Sequence, residues 1–284
     1  MFQRTRSLLL GAAFAVAAGQ AMAADITYEP PIVEAPPVYE APPVEIAHAG
    51  GWYIRGDIDY HAPMWRGGDY FINAVPTQTL PFTSGSLRPA FSVGGGIGYQ
   101  ASKYFRADFT ADYWFRSTFT GTTGSACGTC FDSSAMSALV LMANAYVHFG
   151  KWGRWSPYVG AGIGGAHVTW DNISNTLPDG TNISHPGASS WRFAYAAMAG
   201  TTVCLTNKLD LDVGYRYTNI ASGAMFGNDG TVGPGFDRGF GVHEGRAGLR
   251  YKFGGGGRGG WGDSCGHKPA PIAYEPEPVV PIYK

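Results

Sequence analysis

Leu209-Asp-Leu-Asp-Val-Gly-Tyr-Arg-Tyr-Thr218 is a β-strand with two opposed faces. Successive side chains of a strand point to opposite sides. Leu209, Leu211, Val213, Tyr215 and Tyr217 therefore share one face. Asp210, Asp212, Gly214, Arg216 and Thr218 share the other. A face of apolar and aromatic residues set against a face of charge needs two different environments, one on each side of the sheet.

The same period of two recurs along the chain. Trp52, Ile54, Ile58 and Tyr60 alternate with Tyr53, Arg55, Asp57 and Asp59. Phe91, Val93, Ile97 and Tyr99 alternate with Ser92, Gly94, Gly96 and Gly98. Phe105 to Phe115 places Arg106, Asp108 and Asp112 opposite its apolar set. His243 to Phe253 places Glu244, Arg246, Arg250 and Lys252 opposite Ala247, Leu249, Tyr251 and Phe253. Residues 157–170 and 191–204 read as strands with small residues on one side. Residues 135–149 are so continuously apolar that a helix stays open there, although a strand fits. Eight strands result.

Their connections alternate in length. Residues 100–102, 151–156 and 205–207 are short. Residues 61–89, 116–134, 171–190 and 219–240 are long and rich in Gly, Ser, Thr, Asn and Asp. Alternating short turns and long loops mark an up-and-down transmembrane barrel, with the short turns on the periplasmic side. The expected fold is all-β: an eight-stranded antiparallel up-and-down transmembrane β-barrel with Pro-rich, disordered N- and C-terminal extensions. An even strand number puts both termini in the periplasm. Arg or Lys facing lipid at the midplane costs about 2–4 kcal/mol each, so the charged face points inward. A soluble barrel would reverse the two faces. The signal peptide described below and the aromatic strand ends Trp52, Tyr60, Tyr99, Tyr113, Trp191, Tyr217 and Tyr251 speak against it.

Composition agrees. Charged residues make up 14% and hydrophobic residues 45%, with 42 glycines; a soluble domain has about 25% charge. Lipid contact excludes charge from half of every strand. The net charge of −1, from 20 basic and 21 acidic residues, leaves no cationic surface for nucleic acid.

Inside the expected barrel, Arg55, Arg106, Arg216, Arg246, Arg250 and Lys252 meet Asp57, Asp59, Asp108, Asp112, Asp210, Asp212 and Glu244. Eight strands enclose too little space for an open channel. A network of ion pairs closing the interior is the expectation, because unpaired charge there is costly. No Ser-His-carboxylate group or metal triad converges from these strands, so no enzyme and no metal are expected. His61 and His185 fall in loops read as exposed. They are the candidates for haem, the one cofactor considered. His148 reads as an interior hydrogen-bonding group.

The chain begins with a basic region (Arg4, Arg6), an apolar run (Leu8–Ala18) and Ala21-Met-Ala23, the pattern of a signal peptide over residues 1–23. Residues 24–50 form a linker in which Pro pairs recur at a six-residue interval, favouring polyproline II. The barrel is expected over 51–253, followed by a Gly/Pro-rich periplasmic tail over 254–284. In an exported chain, Cys127-Gly-Thr-Cys130 reads as a local disulfide ahead of a redox or metal half-site. Cys204 and Cys265 pair with each other if the tail folds back.

Glu244-Gly-Arg-Ala-Gly-Leu-Arg-Tyr-Lys-Phe253 resembles the C-terminal assembly signal of outer-membrane barrels at Gly248, Leu249, Tyr251 and Phe253, although the chain continues past that Phe to Lys284. With Gly51-Trp-Tyr-Ile-Arg-Gly56, Pro157–Gly164, Leu205–Leu209 and Gly214-Tyr-Arg-Tyr217, the body resembles the small porin-like outer-membrane β-barrel family of alphaproteobacteria, related to the outer-membrane protein A type. The resemblance implies a surface protein with structural, permeability or host-contact roles, and haem binding in some relatives. Its expected partners are outer-membrane lipid and lipopolysaccharide, the barrel-assembly machinery, and peptidoglycan or a periplasmic protein through the Pro-rich ends. The primary expectation is a passive envelope protein. A surface-binding protein and a narrow pore are the alternatives.

Overall fold

The computed structural model describes residues 51–125, 128–253 and Cys265. Fourteen strands run through them in chain order: β1 (Gly51–Trp65), β2 (Gly68–Ile72), β3 (Gln78–Leu87), β4 (Ala90–Gln100), β5 (Phe105–Ser125), β6 (Gly128–His148), β7 (Trp155–Trp170), β8 (Ile173–Thr176), β9 (Asn182–His185), β10 (Ser189–Cys204), β11 (Leu209–Ile220), β12 (Gly223–Phe226), β13 (Val232–Asp237) and β14 (Phe240–Lys252). The sheet is antiparallel throughout its ring of eight, which pairs as β1–β4–β5–β6–β7–β10–β11–β14 with β14 returning to β1. First and last strands meet in register, with Gly56 opposite Leu249 and Asp57 opposite Gly248. Residues 135–148 are strand, not helix.

The expectation of eight strands joined by irregular loops is corrected. Three of the four long connections carry short strands: β2 and β3, β8 and β9, β12 and β13. The fourth, 116–134, is a continuation of β5 and β6, which pair out to Ser125 and Gly128. A β-bulge between Trp114 and Ser117 shifts the register there. Trp114 and Ser117 both face inward, so the buried set moves from even to odd residues and continues through Phe119, Gly121 and Thr123. An extra residue in one strand inverts the alternation in this way. The short strands stack above the ring as a hood, β12–β13–β2–β3 joining β5 and β8–β9 joining β6.

Burial assigns the faces. On β1 Arg55, Asp57, Asp59 and His61 are buried, whereas Trp52 is 57% and Ile58 62% exposed. Leu249 and Tyr251 of β14, and Phe253 just after it, are also exposed on the outside. Apolar groups outside and charges inside are the reverse of a soluble barrel, and they fit a hydrocarbon surround. At the hood end aromatic rings take up much of the interior: Tyr70, Phe82, Phe119, Trp170, Phe226 and Phe240 belong to one buried cluster.

The short turns are held by their own side chains. Ser102 Oγ accepts from the Tyr104 and Phe105 amides, and Thr206 Oγ1 from those of Lys208 and Leu209. Cys204 at the end of β10 is bonded to Cys265, the pairing expected of the two remaining cysteines. The Cys127–Cys130 pairing lies partly outside the described residues, as do the signal peptide, the Pro-rich linker and, Cys265 apart, the tail.

Candidate functional site

The interior of the ring is filled by two ion-paired groups of charges joined through Tyr53 and Tyr146. Glycine faces leave room for it. A Cβ on Gly94 would stand 1.9 Å from Asp112 Oδ1, and one on Gly248 2.1 Å from Asp57 Oδ1. Long side chains from facing strands occupy that space.

Near the end of the short turns, Asp210 receives Lys252 at 2.9 Å and Arg250 at 3.0 Å. Asp212 receives Arg106 at 2.9 Å and the Tyr158 hydroxyl. The Arg106 guanidinium lies 4.0 Å from the Tyr146 ring centroid and 4.8 Å from that of Tyr158, a cation–π arrangement that satisfies a face carrying no hydrogen bond. Further along, Arg55 grips Asp57 through two nitrogens, at 2.7 and 2.9 Å, and reaches Asp108 at 2.9 Å. Asp108 also accepts from Tyr53 at 3.0 Å and Asn144 at 2.9 Å. Arg246 bridges Asp57, Asp59 and Asp112 at 3.2–3.5 Å. Arg216 joins Asp112 at 2.7 Å, Asp59 at 3.5 Å and Glu244. The structure therefore brings together every interior charge read from the sequence.

Sequence reasoning missed one more node. Arg192 of β10 bonds Asp237 at 2.7 Å and the Ala224 carbonyl at 2.7 Å, and Trp170 Nε1 donates to the same Asp237 at 3.0 Å. Arg192 alternates with Trp191 and Phe193, so the period of two already turned it inward. Asp237 lay in a stretch read as loop and gave no such signal.

The histidine placements are corrected. His61 lies on β1, is 0% exposed, stacks on Trp114 with centroids 5.0 Å apart, and meets Ser117 Oγ at 3.2 Å. His185 lies on β9, is buried, and pairs through Nδ1 with Asp229 Oδ2 at 2.6 Å. Both were read as exposed because the strands that bury them were read as loop. His148 faces inward and meets Ser156 Oγ at 3.1 Å. The second nitrogens of His61 and His148 have no hydrogen-bond partner, so neither Ser–His pair carries the orienting carboxylate of a hydrolytic triad.

In the hood, Asp229 accepts from the backbone amides of Val232 at 2.7 Å and Thr231 at 2.8 Å, and pairs with His185. These hold its carboxyl at a pKa of about 2, the Val232 amide contributing most. A carboxylate whose folded pKa is depressed stabilises the fold above its unfolded pKa of about 3.9 and loses that contribution as the pH falls. Hydrogen exchange at the Thr231 and Val232 amides is therefore expected to lose protection as the pH drops from 4 toward 2, before the interior of the ring opens. Protection of these two amides that stays level over that range would disprove the role given to Asp229.

The interior charge, the outward apolar faces and the β1–β14 closure describe a barrel made for a membrane. The sequence agrees at family level: residues 8–253 match the model of the outer membrane protein beta-barrel domain. The chain belongs to this family. An uncharacterised protein of Brucella abortus (strain 2308) is 38% identical over 242 residues, covering 72% of this chain and 85% of the relative. Outer membrane protein PagN of Salmonella typhimurium is 37% identical over 79 residues, covering 28% and 32%. Among solved structures, the barrel is similar to AlkL in lipid bilayers (19% identity, TM-score 0.44, 79% of this chain and 98% of that one). It is also similar to OprG from Pseudomonas aeruginosa (16% identity, TM-score 0.43, 74% and 99%). Members of the family are outer-membrane β-barrel proteins, and that places this chain in the bacterial outer membrane.

Proposed function

We propose that this outer-membrane protein is an eight-stranded up-and-down transmembrane barrel with a closed interior, acting as a structural element of the envelope or as a surface-contact protein. The observation that supports the closed interior is the continuity of the filling. Arginine–carboxylate pairs occupy the ring from Asp210 to Glu244, and the aromatic cluster around Phe119 and Trp170 continues above them. Ion pairs surrounded on all sides by protein hold little mobile water, and an ion would have to displace them to pass. The short turns and both termini face the periplasm in this reading, and the hood faces outward. Outer-membrane lipid and lipopolysaccharide contact the aromatic girdle, the assembly machinery reads the last strand, and the Pro-rich ends meet peptidoglycan or a periplasmic protein. No catalytic step is assigned.

Planar-bilayer recording tests the closed interior. The purified protein is expected to give a baseline without reproducible unit steps. Stable open-channel currents that scale with salt would favour the narrow-pore alternative and overturn this reading.

A further inference from the structure

Nine aspartates and glutamates are buried among the described residues, and eight of them have an arginine or lysine nitrogen within 4.0 Å. Asp132 is the exception. It lies on β6 under the hood, 4% exposed. Asn175 Nδ2 donates to its Oδ1 at 2.6 Å, and its Oδ2 has no hydrogen-bond partner. The imidazole near it, His185, is already committed to Asp229. Asp132 thus has no basic side chain bonded to it, whereas each of the other buried carboxylates among the described residues has one.

Asp132 borders a cavity of about 30 Å³. Thr123, Asn175 and His185 complete its polar side, and the rings of Tyr70, Phe82 and Phe226 form its aromatic wall. A space of about 10–15 Å³ already admits a water molecule, so this cavity has room for a slightly larger group. A buried carboxylate oxygen without a donor is costly, and aromatic faces attract cations but not anions. No group of three His, Cys, Asp or Glu side chains that would hold a metal ion occurs among the described residues. What the lining matches is a small cation with N–H donors and little else to solvate.

We propose that this cavity is a binding site for a small ammonium-type cation, whose N–H donates to Asp132 Oδ2 while its remaining surface rests on Tyr70, Phe82 and Phe226. The site is built from the hood strands and the ends of β5 and β6 that carry them, and is independent of whether the ring conducts. Ammonium or methylammonium fits the space. Tetramethylammonium has no N–H and exceeds the volume.

The test uses the full-length protein in lipid nanodiscs, titrated with methylammonium labelled with ¹³C at the methyl group. Saturable binding is expected, with nuclear Overhauser contacts from the methyl to the Phe82 and Phe226 rings. Tetramethylammonium is expected to leave the spectrum unchanged. Asp132→Asn removes a buried charge without changing shape, so it should fold, and it is expected to weaken methylammonium binding by about tenfold or more. Arg238→Ala, at an exposed hood side chain that does not border the cavity, should bind normally. Absence of saturable methylammonium binding, equal binding by Asp132→Asn, or methyl contacts elsewhere would each overturn the site. The cavity would then hold water only, with Asp132 neutralised by a proton.

Discussion

Arg216→Ala is expected to destabilise the folded barrel by about 3–5 kcal/mol, the range for removing one partner from a buried ion pair. Arg216 is 0% exposed and touches Asp59, Asp112 and Glu244. Truncation strips Glu244 of the arginine bonded to it, leaving it the Thr218 hydroxyl at 3.0 Å. Asp59 and Asp112 keep Arg246 at 3.2 and 3.5 Å, which cannot serve both as Arg216 did. The comparison is Arg238→Ala. Arg238 holds Asp69 through two nitrogens at 2.7 and 2.8 Å but lies in the hood with its side chain 56% exposed, and an exposed pair contributes only about 0–1 kcal/mol. Urea unfolding in lipid vesicles, followed by tryptophan emission and by migration on unboiled gels, measures both. Adding Glu244→Gln to Arg216→Ala should recover part of the loss, because the two residues are coupled through direct contact. Equal stability of Arg216→Ala and Arg238→Ala would remove the interior network as a stabilising element.

That network was readable because the ring imposes two environments on each strand. Asp210, Asp212 and Arg216 alternate with Leu211, Val213 and Tyr215 only because one side meets hydrocarbon and the other meets charge. Where both sides of a strand meet similar surroundings the signal fades. Thr118, Thr120 and Thr122 alternate with Phe119, Gly121 and Thr123, and hydropathy separates the two sets poorly. The bulge at Trp114–Ser117 then shifts the phase, so a pattern followed from Phe105 fails at that point. The hood was missed for this reason, and the consequences were local. His61 and His185 were read as exposed, Asp237 was not linked to Arg192, and Asp132 drew no attention. Its isolation shows only when the other buried carboxylates have been matched to their partners. The Cys204–Cys265 bond was legible only as arithmetic, two cysteines remaining after a local pair was set aside; its geometry needed the fold.

Ile58→Arg is the second large effect and separates a membrane surround from water. Ile58 sits at the centre of β1, faces outward and is 62% exposed. In lipid, arginine at that depth is expected to cost about 2–4 kcal/mol. Were the same face in water, removing an exposed isoleucine would change stability by about 0.5 kcal/mol or less. Ser133→Arg supplies the control. Ser133 is also exposed on a ring strand, β6, but beyond the bulge, where it pairs with Thr120 and with Ser174 of β8 in the hood. If the hood stands clear of the bilayer, arginine there costs little, within about 0.5 kcal/mol. Folding into vesicles of defined chain length adds a further check: the Ile58→Arg penalty should fall in thinner bilayers, where a long side chain reaches the interface, while Ser133→Arg should not change. A penalty at Ser133 as large as that at Ile58 would extend the membrane boundary up to β8 and place the hood within the lipid. A negligible penalty at Ile58 would contradict lipid contact on β1 altogether, and with it the physical cause given for the inverted faces of every ring strand.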